Sequence, residues 1–207
     1  MATDSQIPET PGKRPTVASV LVPVAVILAG VLFTLAYLRD RAATHEHAEH
    51  GSSAENAAIE RKLGTALPDL TFHTLDGKSV KISELKSKVL VINFWATWCG
   101  PCVKEMPSLQ KLSSEYASRG LTVVGVNLDE DPADVLAPFL AKHEIKFQSF
   151  IDPAGDLANR FSVSGLPLTL VLDGNRKLLL EQMGDEEWFA PAYRKQFELW
   201  LSGTNSG

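Results

Sequence analysis

Cysteine is nearly absent from this chain: 207 residues contain only two, Cys99 and Cys102. There is no second pair with which to complete a four-ligand zinc clip, and the five histidines stand far away in sequence, at 45, 47, 50, 73 and 143. Basic clusters are also missing. No run of Lys or Arg is longer than two and the formal net charge is −5, so the electrostatic footprint of nucleic-acid binding is lacking and no nucleic-acid partner is expected. The apolar fraction of 44% and charged fraction of 22% are those of a globular protein rather than a disordered or fibrous one. The length corresponds to one ordinary domain with some chain to spare.

One stretch lacks charge altogether. Residues 16–38, "TVASVLVPVAVILAGVLFTLAYL", are 23 in number and as a helix would span roughly 34 Å, enough for a bilayer core of about 30 Å. Pro23 and Gly30 are tolerated in such helices. The competing reading is a cleaved signal peptide, whose apolar region is typically about 7–15 residues before an A-x-A-like site. This segment is longer and runs on into "YLRDR", so an uncleaved transmembrane anchor is expected. Lys13 and Arg14 precede it and Arg39 and Arg41 follow, so the charge bias is tied and does not orient it.

The anchor divides the chain. Residues 1–15 are a short polar tail, and 39–63 read as a flexible tether with no apolar stripe to bury. The tether contains "HEHAEH", whose His45, His47 and His50 are either a solvated linker or a transition-metal ligand set.

Residues 64–203 carry the regular signals. "LTFHT" and "SVKI" flank an Asp-Gly turn and predict a hairpin. Residues 88–95, "KVLVINFW", predict a strand buried on both faces. A helix from 101 to about 119, stopped by Gly120, a second buried strand at 121–128 and a helix at 133–143 follow. Asp131 is the expected N-cap of that last helix, with Pro132 at its first position. Then come a strand at "FQSFI", a short helix at 156–161, two strands around Asp-Gly-Asn and a C-terminal helix from 186 to about 201. Strands alternating with helices before a terminal hairpin and helix give a mixed-sheet α/β domain.

Cys99 and Cys102 follow the first buried strand and open a helix, beyond the carboxyl end of a strand, where chemistry gathers in α/β sheets. Cysteines at i and i+3 can meet the distance a disulfide needs, yet so small a loop gains little as a staple. Thiol–disulfide exchange suits the arrangement better. The helix N-terminus favours a thiolate at Cys99, the more exposed sulfur and nucleophile, and Cys102 one turn on resolves the mixed disulfide. Pro101 stiffens the turn, Gly100 puts no side chain beside the sulfurs, and Trp98 walls the site.

The string "FWATWCGPC" followed by "EMP" resembles the thioredoxin superfamily, and more narrowly the membrane-anchored TlpA/ResA-type thiol–disulfide oxidoreductases. The similarity runs from about Leu67 to Leu201 and includes "LDGKSVKISELK" and "VSGLPLTLVLDGNRK". It implies a thioredoxin-like mixed sheet flanked by helices. It implies that Pro167 is a cis-proline facing the cysteines, with Leu166 before it offering backbone to a substrate strand, and that Pro107 kinks the helix. Glu105 matches an acidic residue of the TlpA/ResA type. It shares a helical face with Cys102 and is either a proton carrier for exchange or an exposed carboxylate without a partner. Many thioredoxins carry a buried Asp where Asn93 stands here, and an amide cannot titrate. The Gly-Pro dipeptide is that of thioredoxin and implies a reducing poise, at about −270 mV on the thioredoxin scale.

The resemblance implies a protein-disulfide reductase of the bacterial inner membrane, its soluble domain facing the periplasm. Expected partners are disulfide-bearing proteins of cytochrome c maturation or copper-site assembly and a membrane electron donor. No cofactor is expected beyond the Cys99–Cys102 couple. Two other readings stay open: a Cu(I) delivery protein using the cysteines and the His-rich tether, and a thiol peroxidase.

Overall fold

A computed structural model describes residues 58–203. The expected tail, the anchor at 16–38 and the tether as far as residue 57 lie outside the described residues. Among the described residues no helix is long and apolar enough to cross a membrane.

Seven strands and four helices make up the described chain. The strands are β1 (Thr71–His73), β2 (Ser79–Lys81), β3 (Val89–Trp95), β4 (Leu121–Asn127), β5 (Gln148–Ile151), β6 (Leu168–Asp173) and β7 (Leu178–Met183). The helices are α1 (Gly100–Tyr116), α2 (Pro132–Lys142), α3 (Asp156–Arg160) and α4 (Pro191–Leu201). One sheet contains all seven strands in the order β2-β1-β5-β4-β3-β6-β7. β3, β4 and β5 run parallel, whereas β6 and β7 on one side and β1 and β2 on the other pair antiparallel. This is the mixed sheet expected from the alternation of elements.

β3 lies near the middle of the sheet, and all seven of its residues are buried. That is why it reads as an unbroken run rather than an alternating one. Its side chains part to two cores. Val89, Val91 and Trp95 face Met106, Leu109 and Leu112 of α1, Leu136 of α2, and Phe197 and Leu201 of α4. Leu90, Ile92 and Phe94 face Phe72 of β1, Phe150 of β5, Leu157 of α3 and Phe161. Asn93 belongs by alternation to the first face, which carries α1.

Helix ends follow their local chemistry. α1 passes through a 3-10 turn, Ala117–Arg119, into Gly120 at φ 97°, a left-handed conformation that suits glycine. Asp131 flanks α2 as expected, but its side chain makes no capping bond. Pro132 follows in the first turn and brings no N–H to be capped. α4 begins at Pro191 and not near 186. The backbone before it is used elsewhere: Glu186 N donates to Glu105 Oε2 at 3.2 Å and Trp188 N to Ser108 Oγ at 3.0 Å.

Gly125 in β4 lies opposite Asn93 in β3, and the absence of its side chain makes room for Trp95. A Cβ at Gly125 would stand 2.6 Å from Trp95 Nε1 and 3.0 Å from Ser149 Oγ, between two groups that hydrogen-bond at 3.2 Å. Gly125→Ala is therefore expected to lower the unfolding free energy in urea by about 1–3 kcal/mol, the usual cost of overpacking. A change below about 0.3 kcal/mol would contradict this account of the β3–β4 pairing.

Candidate active site

Cys99 and Cys102 stand where β3 hands the chain to α1. Cys99 is the N-cap of α1 and Cys102 lies in its first turn. They are joined in a disulfide with S–S 2.00 Å and Cα atoms 5.3 Å apart. Cys102 N donates to Cys99 Sγ at 3.2 Å, so the sulfur takes the place of a capping oxygen among otherwise unpaired helix N–H groups. Cys99 is 6% exposed and Cys102 0%. The sequence expectation that Cys99 is the more accessible sulfur agrees with this.

The turn ahead of Cys99 is held from β4. Asp129, buried just past that strand, accepts hydrogen bonds from Thr97 N, from Thr97 Oγ1 at 2.9 Å and from Asn127 Nδ2 at 2.6 Å. The carboxyl ends of two parallel strands are thereby tied together beneath the site.

A cleft of about 580 Å³ opens beside Cys99. Trp98, Cys99, Gly100 and Pro101 line one wall; Leu128 and residues 163–166, ending at Leu166, line the rest. Trp98 is 71% exposed, an unusual position for a large aromatic ring, whereas Trp95 is wholly buried in the core. A Cβ at Gly100 would meet nothing within 4 Å, so the space next to the sulfurs is open. Pro167 follows Leu166 through a cis peptide bond. Pro167 itself is buried and does not line the cleft; its carbonyl accepts from Gly184 N at 2.9 Å.

Glu105 lies on the other side of the cysteine turn. It is not an exposed helix carboxylate: only 2% of it is exposed. Oε1 accepts from Asn93 Nδ2 at 2.7 Å, and Oε2 accepts from Trp188 Nε1 at 2.8 Å and from Glu186 N at 3.2 Å. Burial pushes the Glu105 carboxyl above its ordinary range; the bonds from Trp188, Asn93 and Glu186 pull it down, and the Asp185 charge adds to the rise. Asn93 Nδ2 also donates to Thr169 Oγ1 at 2.9 Å, its cross-strand partner in β6. Asn93 Oδ1, buried, receives no hydrogen bond. Such an orphaned acceptor costs about 1–3 kcal/mol.

The structure brings Cys99, Gly100, Pro101, Trp98 and Leu166 to one cleft and places Cys102 and Glu105 behind it. Sequence reasoning does not single out Leu128, Thr169, Ser108 or Trp188. Leu128 has a signal, since it follows the second parallel strand just as Cys99 follows the first. Trp188 has none, because its partner Glu105 is 83 residues away. Among the described residues no group of three or more His, Cys, Asp or Glu side chains is placed to hold a metal ion. The arrangement can shuttle two electrons between a dithiol and a disulfide, with a carboxyl group nearby to take up a proton.

Comparison with known proteins agrees with this chemistry. Residues 62–195 match the family described as Redoxin. The thiol-disulfide oxidoreductase ResA of Bacillus thuringiensis is 31% identical over 126 residues, covering 60% of this chain and 72% of that protein. The thioredoxin-like protein YneN of Bacillus subtilis is 38% identical over 112 residues, or 53% of this chain and 65% of its own. Among solved structures, a Chlorobium tepidum protein described as a thiol:disulfide interchange protein DsbE superposes with a TM-score of 0.62 at 32% identity, covering 69% of this chain and 99% of that one. With the disulfide at a helix N-terminus on a mixed sheet, these likenesses have one meaning: the chain belongs to the redoxin family of the thioredoxin superfamily, as a thiol–disulfide oxidoreductase similar to the ResA proteins.

Proposed function

We propose that this enzyme is a membrane-tethered protein-disulfide reductase acting on the periplasmic side of a bacterial inner membrane. The observation that carries the reading is the division of the cysteine turn. Cys99 lines a largely apolar cleft of about 580 Å³, while Cys102 does not line it and is fully buried. The uncharged stretch at 16–38 supports the tether, and the resemblance of the sequence to the membrane-anchored TlpA/ResA type supports the direction and the compartment. The same likeness favours disulfides of cytochrome c maturation or copper-site assembly as substrates, with electrons returned by a donor in the membrane.

The cycle follows from the geometry. With the pair reduced, the Cys99 thiolate attacks one sulfur of a substrate disulfide, forming a mixed disulfide and releasing one substrate thiolate. Trp98 supplies a flat apolar surface for the bound segment, and the chain at Leu166, just before cis-Pro167, lies along the opposite wall. Pro101 fixes the turn, and Gly100 leaves the approach open. Cys102 then attacks Cys99 Sγ, the mixed disulfide breaks and the second substrate thiolate leaves. Two electrons have passed to the substrate and the Cys99–Cys102 bond is closed. No other cofactor is required by this sequence of steps. Cys102 has to lose its proton before it attacks, and Glu105, on the same face of α1 one turn further, receives it.

Two experiments test this reading. In membranes, Cys102→Ser is expected to accumulate mixed disulfides through Cys99 with periplasmic proteins, and Cys99→Ser to accumulate none; equal trapping by both would contradict the assignment. Glu105→Gln is expected to slow resolution of the mixed disulfide by about 10²-fold, the lower end of what general acid–base catalysis supplies.

A stability measurement checks the same carboxyl separately. The folded state holds Glu105 protonated at pH values where the unfolded chain has already ionised it. Unfolding free energy of the oxidised protein should therefore fall as pH rises from the ordinary carboxylate range through the raised value, and level off above it. Urea titrations of Glu105→Gln across the same pH range should lack that fall. A parallel course in both proteins would rule out the raised proton affinity of Glu105.

A further inference from the structure

The orphaned carbonyl of Asn93 acquires a role once the two protonation states of Glu105 are compared. Asn93 is fully buried, on a face of β3 it shares with Val89, Val91 and Trp95. Its Nδ2 serves two acceptors, Glu105 Oε1 at 2.7 Å and Thr169 Oγ1 at 2.9 Å, while Oδ1 serves none. One end of the amide is fully used and the other is idle.

An ionised carboxylate only accepts hydrogen bonds, and the three N–H groups around Glu105 suit that form. A protonated carboxyl must also donate one. Trp188 Nε1 and Glu186 N cannot accept it, since each is a donor only. Asn93 can, if its amide turns half a revolution about the Cβ–Cγ bond. Oδ1 then stands where Nδ2 stood. There it accepts from the Glu105 hydroxyl at Oε1 and from Thr169, whose hydroxyl donates as readily as it accepts. Nδ2 moves to the idle position. Each orientation leaves one end of the amide unbonded, so neither is locked by its partners.

We propose that Asn93 is a positioning residue whose side-chain amide turns over as Glu105 gains or loses a proton, donating to the carboxylate and accepting from the acid. This deepens the proton role given to Glu105 above and rests on it. When Cys102 gives up its thiol proton, the proton arrives on Glu105 Oε1 and the amide turns; when the proton leaves for solvent, the amide returns. No electrons move in this step. An aspartate at 93 would instead set two carboxyl groups at this distance in competition for one proton. A leucine would meet neither form.

Other charged and titratable groups stand on the elements around the same carboxyl. α1 contributes the Cys99–Cys102 pair, which titrates only when reduced, and the exposed Lys104, paired with Asp185 at 2.5 Å. The segment after β7 contributes Asp185 and Glu186, and α4 contributes Tyr193, which is hydrogen-bonded to Glu186. Of these, the Asp185 charge raises the Glu105 carboxyl and the Glu186 N–H lowers it. None bonds Asn93 Oδ1, so none dictates which end of the amide faces Glu105.

The test is a pH titration by NMR of the full-length protein with its disulfide closed, labelled with 15N in asparagine side chains and 13C in glutamate carboxyls. Glu105→Gln and Asn93→Leu identify the two signals. The Asn93 amide protons are expected to shift upfield, out of their hydrogen bonds, as pH falls, with the same midpoint as the Glu105 carboxyl carbon. In Glu105→Gln that shift should be lost. If Glu105 titrates while the Asn93 amide stays fixed, the turning amide is wrong and the proton role of Glu105 stands. If Glu105 does not titrate at all, both fail. The wild-type protein supplies the decisive signals, so the test holds even where a variant folds poorly.

Discussion

A carboxyl group sealed beneath a disulfide has to be held by donors, because removing it from water unpaired costs several kcal/mol. Glu105 meets that requirement with a side-chain amide from β3, an indole N–H and a backbone N–H from the segment after β7. Two parts of the chain, β3 and the segment after β7, are thereby fixed against one helix turn. The late start of α4, the polar residue in the middle of β3 and the Thr169 opposite it all answer to the same buried group. Ser108, one turn along α1, repeats the pattern by accepting from Trp188 N.

The first turn of α1 consequently has two distinct sides. Toward the cleft lie Cys99, Trp98 and the 163–166 wall, which is apolar and open. Toward the sheet lie Cys102, Glu105 and Asn93, which are closed to solvent and hydrogen-bonded. Thiol–disulfide exchange needs both: an accessible sulfur that meets a partner, and a shielded one that waits for its proton to be removed. The Asp129 bonds to Thr97 keep the turn in register between them.

Local signals are legible in the sequence. The hairpin at Asp76-Gly77, β3 as an unbroken apolar run, the end of α1 at Gly120 and the cysteine turn depend on neighbours a few residues away, and each stands close to where the residue pattern puts it. The helical spacing also puts Glu105 on the face of Cys102. Its burial is not legible, since that depends on Trp188 and Asn93, brought up by β-strand pairing and a long connection. For the same reason the sequence pattern starts α4 too early. Amphipathic spacing continues back to 186, but the backbone there is committed to Glu105 and Ser108. In the sequence Asn93 is only a missing acid; its partners in the fold turn it into a group that serves an acid elsewhere.

In the proposed function, electrons flow from the enzyme to its substrates. The most direct measurement is an equilibrium titration of the Cys99–Cys102 couple against a dithiothreitol redox buffer at pH 7. A midpoint in the reducing range, at about −270 mV, is predicted. A midpoint close to that of a strong oxidant, at about −120 mV, would contradict it.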